Sequence, residues 1–154
     1  MKNIKFFWNR RNYTFSEDLP PLLVAEIGVN HNANVNLAKK LVVAAKHAGA
    51  DAVKFQTFNT DKIALPTLEK ADYIAKSIDK DQSVYEMLKS LELSKIDHKE
   101  IIKFCISQNI LFFSTPYDFE SVDFLESVNV VLYKIASTDL TNTPLLKYLS
   151  LIHI

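Results

Sequence analysis

The chain has little cysteine, little glycine and no excess of charge of either sign. Its 154 residues include one Cys and two Gly, and 18 Lys and Arg balance 18 Asp and Glu. The single thiol, Cys105, excludes an intrachain disulfide scaffold. The balanced charge indicates neither a nucleic-acid surface nor an anionic-membrane surface. No apolar run approaches the roughly 18 to 20 residues of a membrane span, and residues 1–11 lack the apolar stretch of a signal peptide. We therefore expect a cytoplasmic globular protein with small-molecule or protein partners.

What the sequence does contain is an alternation of short apolar runs with helical patterns. Residues 1–21 are polar, end in Pro20 and Pro21, and are interpreted as a leader before the fold. Four strands are expected, at 22–25, 52–56, 110–113 and 130–135, and helices follow them. Asn34 and Ser94 are candidate N-caps, and Gly49 is a candidate C-terminal residue in the left-handed conformation. Strands that alternate with helices favour parallel pairing and an α/β fold.

The connection at 58–94 is too long for an ordinary loop. Helical patterns are expected in it near 68–78 and 84–91. Such a segment after a strand is typical of a lid or a substrate wall, and a surface insertion without a role is the alternative.

Polar residues stand at the carboxyl end of every expected strand, where parallel α/β folds collect their chemistry. Lys54 and Lys134 lie among apolar neighbours, and a buried ammonium without a partner costs several kcal/mol. Together with the hydroxyls of Thr115 and Ser137, they form a candidate site for a small anion that carries phosphate and carboxylate groups. This hypothesis fails if the two ammonium groups lie far apart, or if each is already held by a carboxylate of its own.

Other roles for the same groups stay open. Each lysine could instead pair with Glu26 or an Asp, or one of them could be a Schiff-base nucleophile of an aldolase. Glu26 could be a general acid or base, could bind sugar hydroxyls, or could simply neutralise a lysine.

The histidines and the cysteine indicate no metal or nucleophilic site. His31 has no second ligand at a suitable spacing and is expected to be a loop histidine bonded to the backbone. His47 lies at a helix C-terminus, and His98 is expected on the exposed side of its helix. Cys105 is expected in the core of the protein as an inert thiol.

Four ordered motifs resemble those of the sialic acid synthases, which condense phosphoenolpyruvate to make N-acetylneuraminate and related nonulosonic acids. The strings AEIGVNH at 25–31 and DAVKFQT at 51–57 begin the resemblance, and STPYD at 114–118 and YKIAS at 133–137 continue it in the same order. NTPLL at 142–146 and SVYEMLKSLELS at 83–94 are also similar. The resemblance extends from Leu22 to about Leu149.

The resemblance implies a (β/α)₈ barrel that joins phosphoenolpyruvate to an N-acetylated sugar aldehyde such as N-acetylmannosamine. By motif, Lys54, Thr115, Lys134 and Ser137 correspond to phosphoenolpyruvate contacts. Glu26 and Gln56 correspond to groups that face the sugar and the reacting centre. A divalent metal, manganese or magnesium, is expected in the full-length enzyme, with its histidine ligands outside this chain. A homodimer is expected for the full-length enzyme. Ala33 and Thr138 stand where the family usually has glycine, and each could tighten its loop.

The length is the largest departure from the family. A (β/α)₈ barrel needs roughly 200 to 250 residues, so the chain is expected to hold only the first four β/α units, at 22–154. The second half of the barrel and a C-terminal antifreeze-like domain are expected to be missing. The isolated chain is therefore expected to be inactive, and a non-catalytic remnant or binding fragment is an alternative to the synthase. An open half-barrel that exposes several hundred Å² of apolar surface would forfeit on the order of 10 kcal/mol, so we expect the isolated chain to self-associate or to fold poorly.

Overall fold

The structure is a computed structural model that describes residues 3–66 and 83–152. The helix expected near 68–78 lies outside the described residues. No helix among those described is long and apolar enough to cross a membrane.

The described part of the chain begins with an antiparallel β-hairpin. Strand β1 is Ile4–Trp8 and strand β2 is Arg11–Phe15. The two turn residues, Asn9 and Arg10, both have positive φ, at 45° and 63°, as a tight two-residue hairpin turn requires. Trp8 at the end of β1 is only 8% exposed and belongs to the main core. Part of the expected leader is therefore a folded element that packs on the rest of the protein.

A three-stranded parallel sheet carries the site. Its strands are β3 (Val24–Gly28), β4 (Ala52–Thr57) and β5 (Leu111–Pro116), in the order β3-β4-β5. Three of the expected strands and their parallel pairing are thus confirmed. Strands β3 and β5 extend further at their carboxyl ends than the apolar runs predict, because polar residues such as Glu26 and Thr115 remain in the hydrogen-bonded ladder.

The helices begin and end largely where their capping residues predict. Helix α1 is Val35–His47, α2 is Thr60–Ile63, α3 is Val84–Leu91, α4 is Lys95–Gln108, α5 is Phe119–Ser127 and α6 is Thr143–Ile152. The side chains of Asn34 and Ser94 cap α1 and α4, and Gly49 after α1 has φ of +88°. His47 lies in the last turn of α1, as expected.

The expected fourth strand, at 130–135, does not form. Its pairing with β5 is a single isolated bridge between Tyr133 and Ser114, and the Lys134 N–H donates to the Ser114 carbonyl at 3.1 Å. The apolar pattern of the segment instead reflects side-chain packing, since Val130 is buried in the core. A short 3₁₀ helix, Ser137–Asp139, follows this segment.

The two faces of the sheet have different surroundings. On one face Val53, Phe55 and Phe112 belong to the main core, together with residues of α1 and α4 such as Val42 and Ile101. Register pairs Glu26 with Lys54 and Gln56 with Thr115, so these side chains share the opposite face. We call this opposite face, with Glu26, Lys54, Gln56 and Thr115, the inner face.

The loop before α1 holds an alanine in a conformation that suits glycine. Ala33 has φ of +52°, which strains a residue with a Cβ, and it is exposed, so replacement by glycine relieves the strain without loss of packing. We expect Ala33→Gly to raise the free energy of unfolding by about 0.5 to 1 kcal/mol in denaturant titration. Ala44→Gly, at an exposed position inside α1, is the control and should lower it by about 1 kcal/mol. Equal losses in both variants would contradict the strain at Ala33.

Candidate active site

A buried ammonium group lies at the centre of the inner face. Lys54 is only 6% exposed. Its Nζ lies 2.8 Å from Oε1 of Glu26 on β3 and donates to Oγ1 of Thr115 on β5 at 3.2 Å. The lysine on the middle strand therefore contacts both of its neighbouring strands. Of its three N–H groups, two have partners among the described residues.

The carboxylate in this ion pair faces solvent. The side chain of Glu26 is 57% exposed, whereas that of Lys54 is 7% exposed. Screening makes the attraction between an exposed carboxylate and its partner modest, so another anion can compete for the ammonium. The pair neutralises the charge of Lys54 but does not prevent a ligand from reaching its ammonium group.

Gly28 leaves room for Glu26. Its φ is +56°, and a Cβ at this position would lie 2.9 Å from Oε1 of Glu26 and 3.5 Å from Nε2 of Gln56. The strand pairing shifts between Glu26 and Gly28, which bends β3 at this point. Gly28 thus leaves space for the Glu26 carboxylate and the Gln56 amide, which both lie near it.

Lys134 and Ser137 differ from what the sequence predicts. Lys134 is exposed, and no carboxylate in the described ranges lies within ion-pair distance of it. Ser137 is also exposed and begins the 3₁₀ helix. The expectation that Lys134 is buried is wrong, because the segment around it does not continue the sheet. The structure brings Glu26, Lys54, Gln56 and Thr115 together, whereas Lys134 is tied to them through the backbone of Ser114.

For Lys54, the structure therefore selects the pairing with Glu26 that the sequence left open. Lys54 has a carboxylate partner of its own and Lys134 has none among the described residues, so the condition that would exclude a shared anion, a carboxylate on each lysine, is not met. Any anion that binds here has to share Lys54 with Glu26 or displace it.

Two further residues beside the site escaped the sequence analysis. Asp139 is buried, and one of its oxygens, Oδ2, has no hydrogen-bond partner in the part of the chain described. Burial raises the pKa of the Tyr117 phenol, and the nearby carboxylates of Asp139 and Glu26 act in the same direction. Tyr117 thus lies within electrostatic range of both acids. The buried position of Asp139 in the 3₁₀ helix depends on a turn that the apolar pattern does not reveal.

The two buried histidines lie outside the inner face. His31 accepts a hydrogen bond from the Ala33 N–H on Nδ1, at 3.0 Å, which confirms the expected backbone bond, and its ring stacks on Phe55. His98, expected to be exposed, is buried and contacts Phe124 and Thr57. His98 precedes Ile101, Ile102 and Cys105 by three, four and seven residues, so it lies on the buried face of α4, and Phe124 of α5 packs against its ring. Cys105 is buried in the core, as expected, and burial raises the pKa of its thiol to about 12, which disfavours the reactive thiolate.

The described residues contain no cluster that could bind a metal ion. Residues 3–66 and 83–152 bring together no cluster of three or more His, Cys, Asp or Glu side chains that could hold a metal ion. The donor set of the inner face, one carboxylate beside an ammonium, suits an anion rather than a divalent cation.

A model of the NeuB family matches residues 41–153. N,N'-diacetyllegionaminic acid synthase of Legionella pneumophila is 48% identical over 126 residues, covering 82% of this chain and 35% of that protein. The spore coat polysaccharide biosynthesis protein SpsE of Bacillus subtilis is 36% identical over 141 residues, covering 90% of this chain and 36% of that protein. The chain spans about a third of the length of the curated relatives it matches.

Solved structures agree with the fold. The N-acetylneuraminic acid synthetase of Leptospira borgpetersenii, in complex with citrate, superposes with a TM-score of 0.75 at 25% identity over 97% of this chain and 47% of that chain. The crystal structure of SpsE from Bacillus subtilis gives a TM-score of 0.69 at 32% identity, with 96% and 37% of the two chains covered. The α/β architecture with its parallel sheet is therefore shared with these proteins.

The buried His31 predicts an acid-sensitive fold. Burial, together with the nearby His98, lowers the pKa of His31 from 6.5 to about 4. The unfolded chain therefore binds a proton that the folded protein excludes, so stability falls as pH drops from about 7 towards 4. His31→Asn keeps an acceptor for the Ala33 N–H but cannot titrate. Relative to this variant, we expect the wild type to lose about 3 kcal/mol of unfolding free energy between pH 7.5 and pH 4 in urea titrations. Parallel pH profiles would contradict the lowered pKa.

Proposed function

Because the chain belongs to the NeuB family, we propose that it supplies the phosphoenolpyruvate-binding strands of a nonulosonic acid synthase. In this proposal β3, β4 and β5 are consecutive strands of a (β/α)₈ barrel, and the inner face is the barrel interior. The single observation that carries the proposal is the buried Lys54 ammonium, held on the inner face between Glu26 and Thr115.

The hydrogen bonds around Lys54 leave donors free for an anion. Oγ1 of Thr115 accepts from Lys54, so the hydroxyl proton of Thr115 is available to a ligand oxygen. The third N–H of Lys54 can donate to the same ligand. Charge-assisted bonds of this kind are short and strong, and they suit phosphate and carboxylate oxygens. Lys134, in the 130–135 segment, and Ser137, which begins the 3₁₀ helix, are both exposed. In this proposal they supply a second cation and a second hydroxyl for the bound anion.

The proposed reaction joins two substrates and releases phosphate. The enol carbon of phosphoenolpyruvate forms a bond to the aldehyde carbon of an N-acetylated amino sugar, and the carbonyl π electrons pass to the aldehyde oxygen, which takes up a proton. Water then adds to the oxocarbenium carbon, and the tetrahedral adduct loses inorganic phosphate to leave the α-keto acid. In this scheme Lys54, Thr115, Lys134 and Ser137 bind and orient phosphoenolpyruvate.

Glu26 and Gln56 serve the reacting centre in this scheme. The carboxylate of Glu26 lies beside the ammonium that binds the enolpyruvyl group, so its charge stabilises the oxocarbenium carbon and it can accept the proton of the attacking water. The amide of Gln56, next to Gly28, can hold the sugar or the water in place by hydrogen bonds.

A divalent metal does not fit the residues described, so no step in this scheme passes through one. We propose that the metal of the full-length enzyme is held by residues outside this chain. We likewise propose a cytoplasmic location, a homodimer for the full-length enzyme, and an N-acetylated amino sugar such as N-acetylmannosamine as the aldehyde substrate.

The test is direct binding of phosphoenolpyruvate to this chain by titration calorimetry. We expect the wild type to bind. The dissociation constant of Lys54→Met, which keeps the length of the side chain but removes its charge, should be about 10- to 100-fold higher. Lys103→Met, at an exposed position on α4, is the matched control and should bind as the wild type does.

Three outcomes would contradict the proposal. They are the absence of binding by the wild type, equal affinities of the two variants, and a covalent adduct on Lys54 or Lys134 after borohydride treatment with pyruvate. The adduct would establish the Schiff-base aldolase instead.

A further inference from the structure

A chain of buried hydrogen bonds lies on the helix side of the sheet, behind the proposed anion site. Oγ1 of Thr57, at the end of β4, lies 2.7 Å from Oγ of Ser114 on β5 and 3.1 Å from Nε2 of His98 on α4. Nδ1 of His98 lies 3.1 Å from the carbonyl oxygen of Ser94 at the start of α4. All three side chains, Thr57, His98 and Ser114, are buried.

The direction of every bond in this chain follows from one fixed acceptor. A carbonyl oxygen can only accept, so Nδ1 of His98 carries the proton and donates to Ser94. Burial lowers the pKa of His98 and keeps the ring neutral, so Nε2 has no proton and accepts from the Thr57 hydroxyl. The oxygen of Thr57 then accepts from the Ser114 hydroxyl. His98 thus sets the orientation of both hydroxyls.

Ser114 connects these buried hydrogen bonds to Lys134, which lies outside the three-stranded sheet. Its carbonyl oxygen accepts the N–H of Lys134, and its bridge to Tyr133 is the isolated pairing that ties the 130–135 segment to β5. Ser114 is also the residue before Thr115, whose hydroxyl contacts Lys54. The position of Ser114 therefore affects both lysines of the proposed site.

We propose that His98, Thr57 and Ser114 are positioning residues, which hold the ends of β4 and β5 so that Lys54, Thr115 and Lys134 face one bound anion. The proposal rests on the proposed function for the identity of that anion. Apolar side chains at these three positions would fill the same space, but no side-chain hydrogen bond would then hold position 114, whose carbonyl oxygen accepts the Lys134 N–H. The chain of hydrogen bonds fixes Ser114 from the side opposite to the ligand.

His98 is the residue to change first. His98→Leu keeps a buried side chain of similar size but leaves Thr57 without an acceptor, whereas His98→Gln can present an amide oxygen where Nε2 lies. His47→Gln, at an exposed position in the last turn of α1, is the matched control. Thr57→Val and Thr57→Ser form a second pair, in which the first variant removes the hydroxyl and the second keeps it.

Two measurements are made on each variant of the full chain, at a temperature well below its melting point. Hydrogen–deuterium exchange with mass spectrometry follows the peptide that contains the Lys134 amide. Titration calorimetry gives the dissociation constant for phosphoenolpyruvate. We expect His98→Leu and Thr57→Val to speed exchange in that peptide and weaken binding, each by about 10-fold or more. His98→Gln, Thr57→Ser and His47→Gln should stay within about 3-fold of the wild type.

The outcomes separate positioning from simple stability. If the Leu and Val variants melt at lower temperature but match the Gln and Ser variants in exchange at Lys134 and in affinity, the residues are structural only and the inference fails. If the wild type does not bind phosphoenolpyruvate, the proposed function fails. In that case the exchange data alone decide whether these residues hold Lys134: unchanged exchange in the Leu and Val variants overturns the inference, and faster exchange in them supports it.

Discussion

The ion pair between Lys54 and Glu26 is the constraint on which the inner face depends. An ammonium buried to this degree needs a partner, and the partner has to come from the adjacent strand in register. Gly28 is needed because a Cβ there would meet the Glu26 carboxylate, and the bend of β3 follows from the same residue. Because the Glu26 carboxylate is exposed, an anion that binds the ammonium more strongly can replace it. This one contact thus depends on the register of β3 and β4 and on Gly28, and it neutralises the charge of the buried ammonium.

Sequence reasoning succeeded where the signal is local. The strand at 52–56 is an apolar run with only one charged residue, and the caps at Asn34 and Ser94 are side chains that bond to the backbone three residues later. The pairing of Lys54 with Glu26 was among the alternatives that the residues leave open. The sequence could not select it, because that choice depends on which strands are neighbours and on how they are aligned.

Most of the differences between the expected and the observed structure are due to tertiary contacts. The hairpin turn at Asn9 and Arg10 contains no glycine, so Asn9 is its one residue typical of the left-handed conformation, and Trp8 holds the hairpin against the core. The 130–135 segment has the apolar pattern of a strand, yet an extended ladder needs a neighbour in register along its length, and β5 offers one bridge. These two features depend on residues distant in sequence. The burial of His98 does not, because its spacing to Ile101, Ile102 and Cys105 already places it on the buried face of α4.

The division of the sheet into two faces explains how one set of strands can serve both stability and chemistry. Val53, Phe55 and Phe112 alternate with Lys54, Gln56 and Thr115, so each strand contributes to the core on one side and to the site on the other. A change that moved a strand by one residue would exchange the two sets and destroy both at once. The buried hydroxyls of Thr57 and Ser114 lie on the core side at the carboxyl ends of β4 and β5. Polar groups at that place cost desolvation energy that apolar residues would not, and their retention is explained if the strand ends have to be held to a position more exact than apolar packing requires.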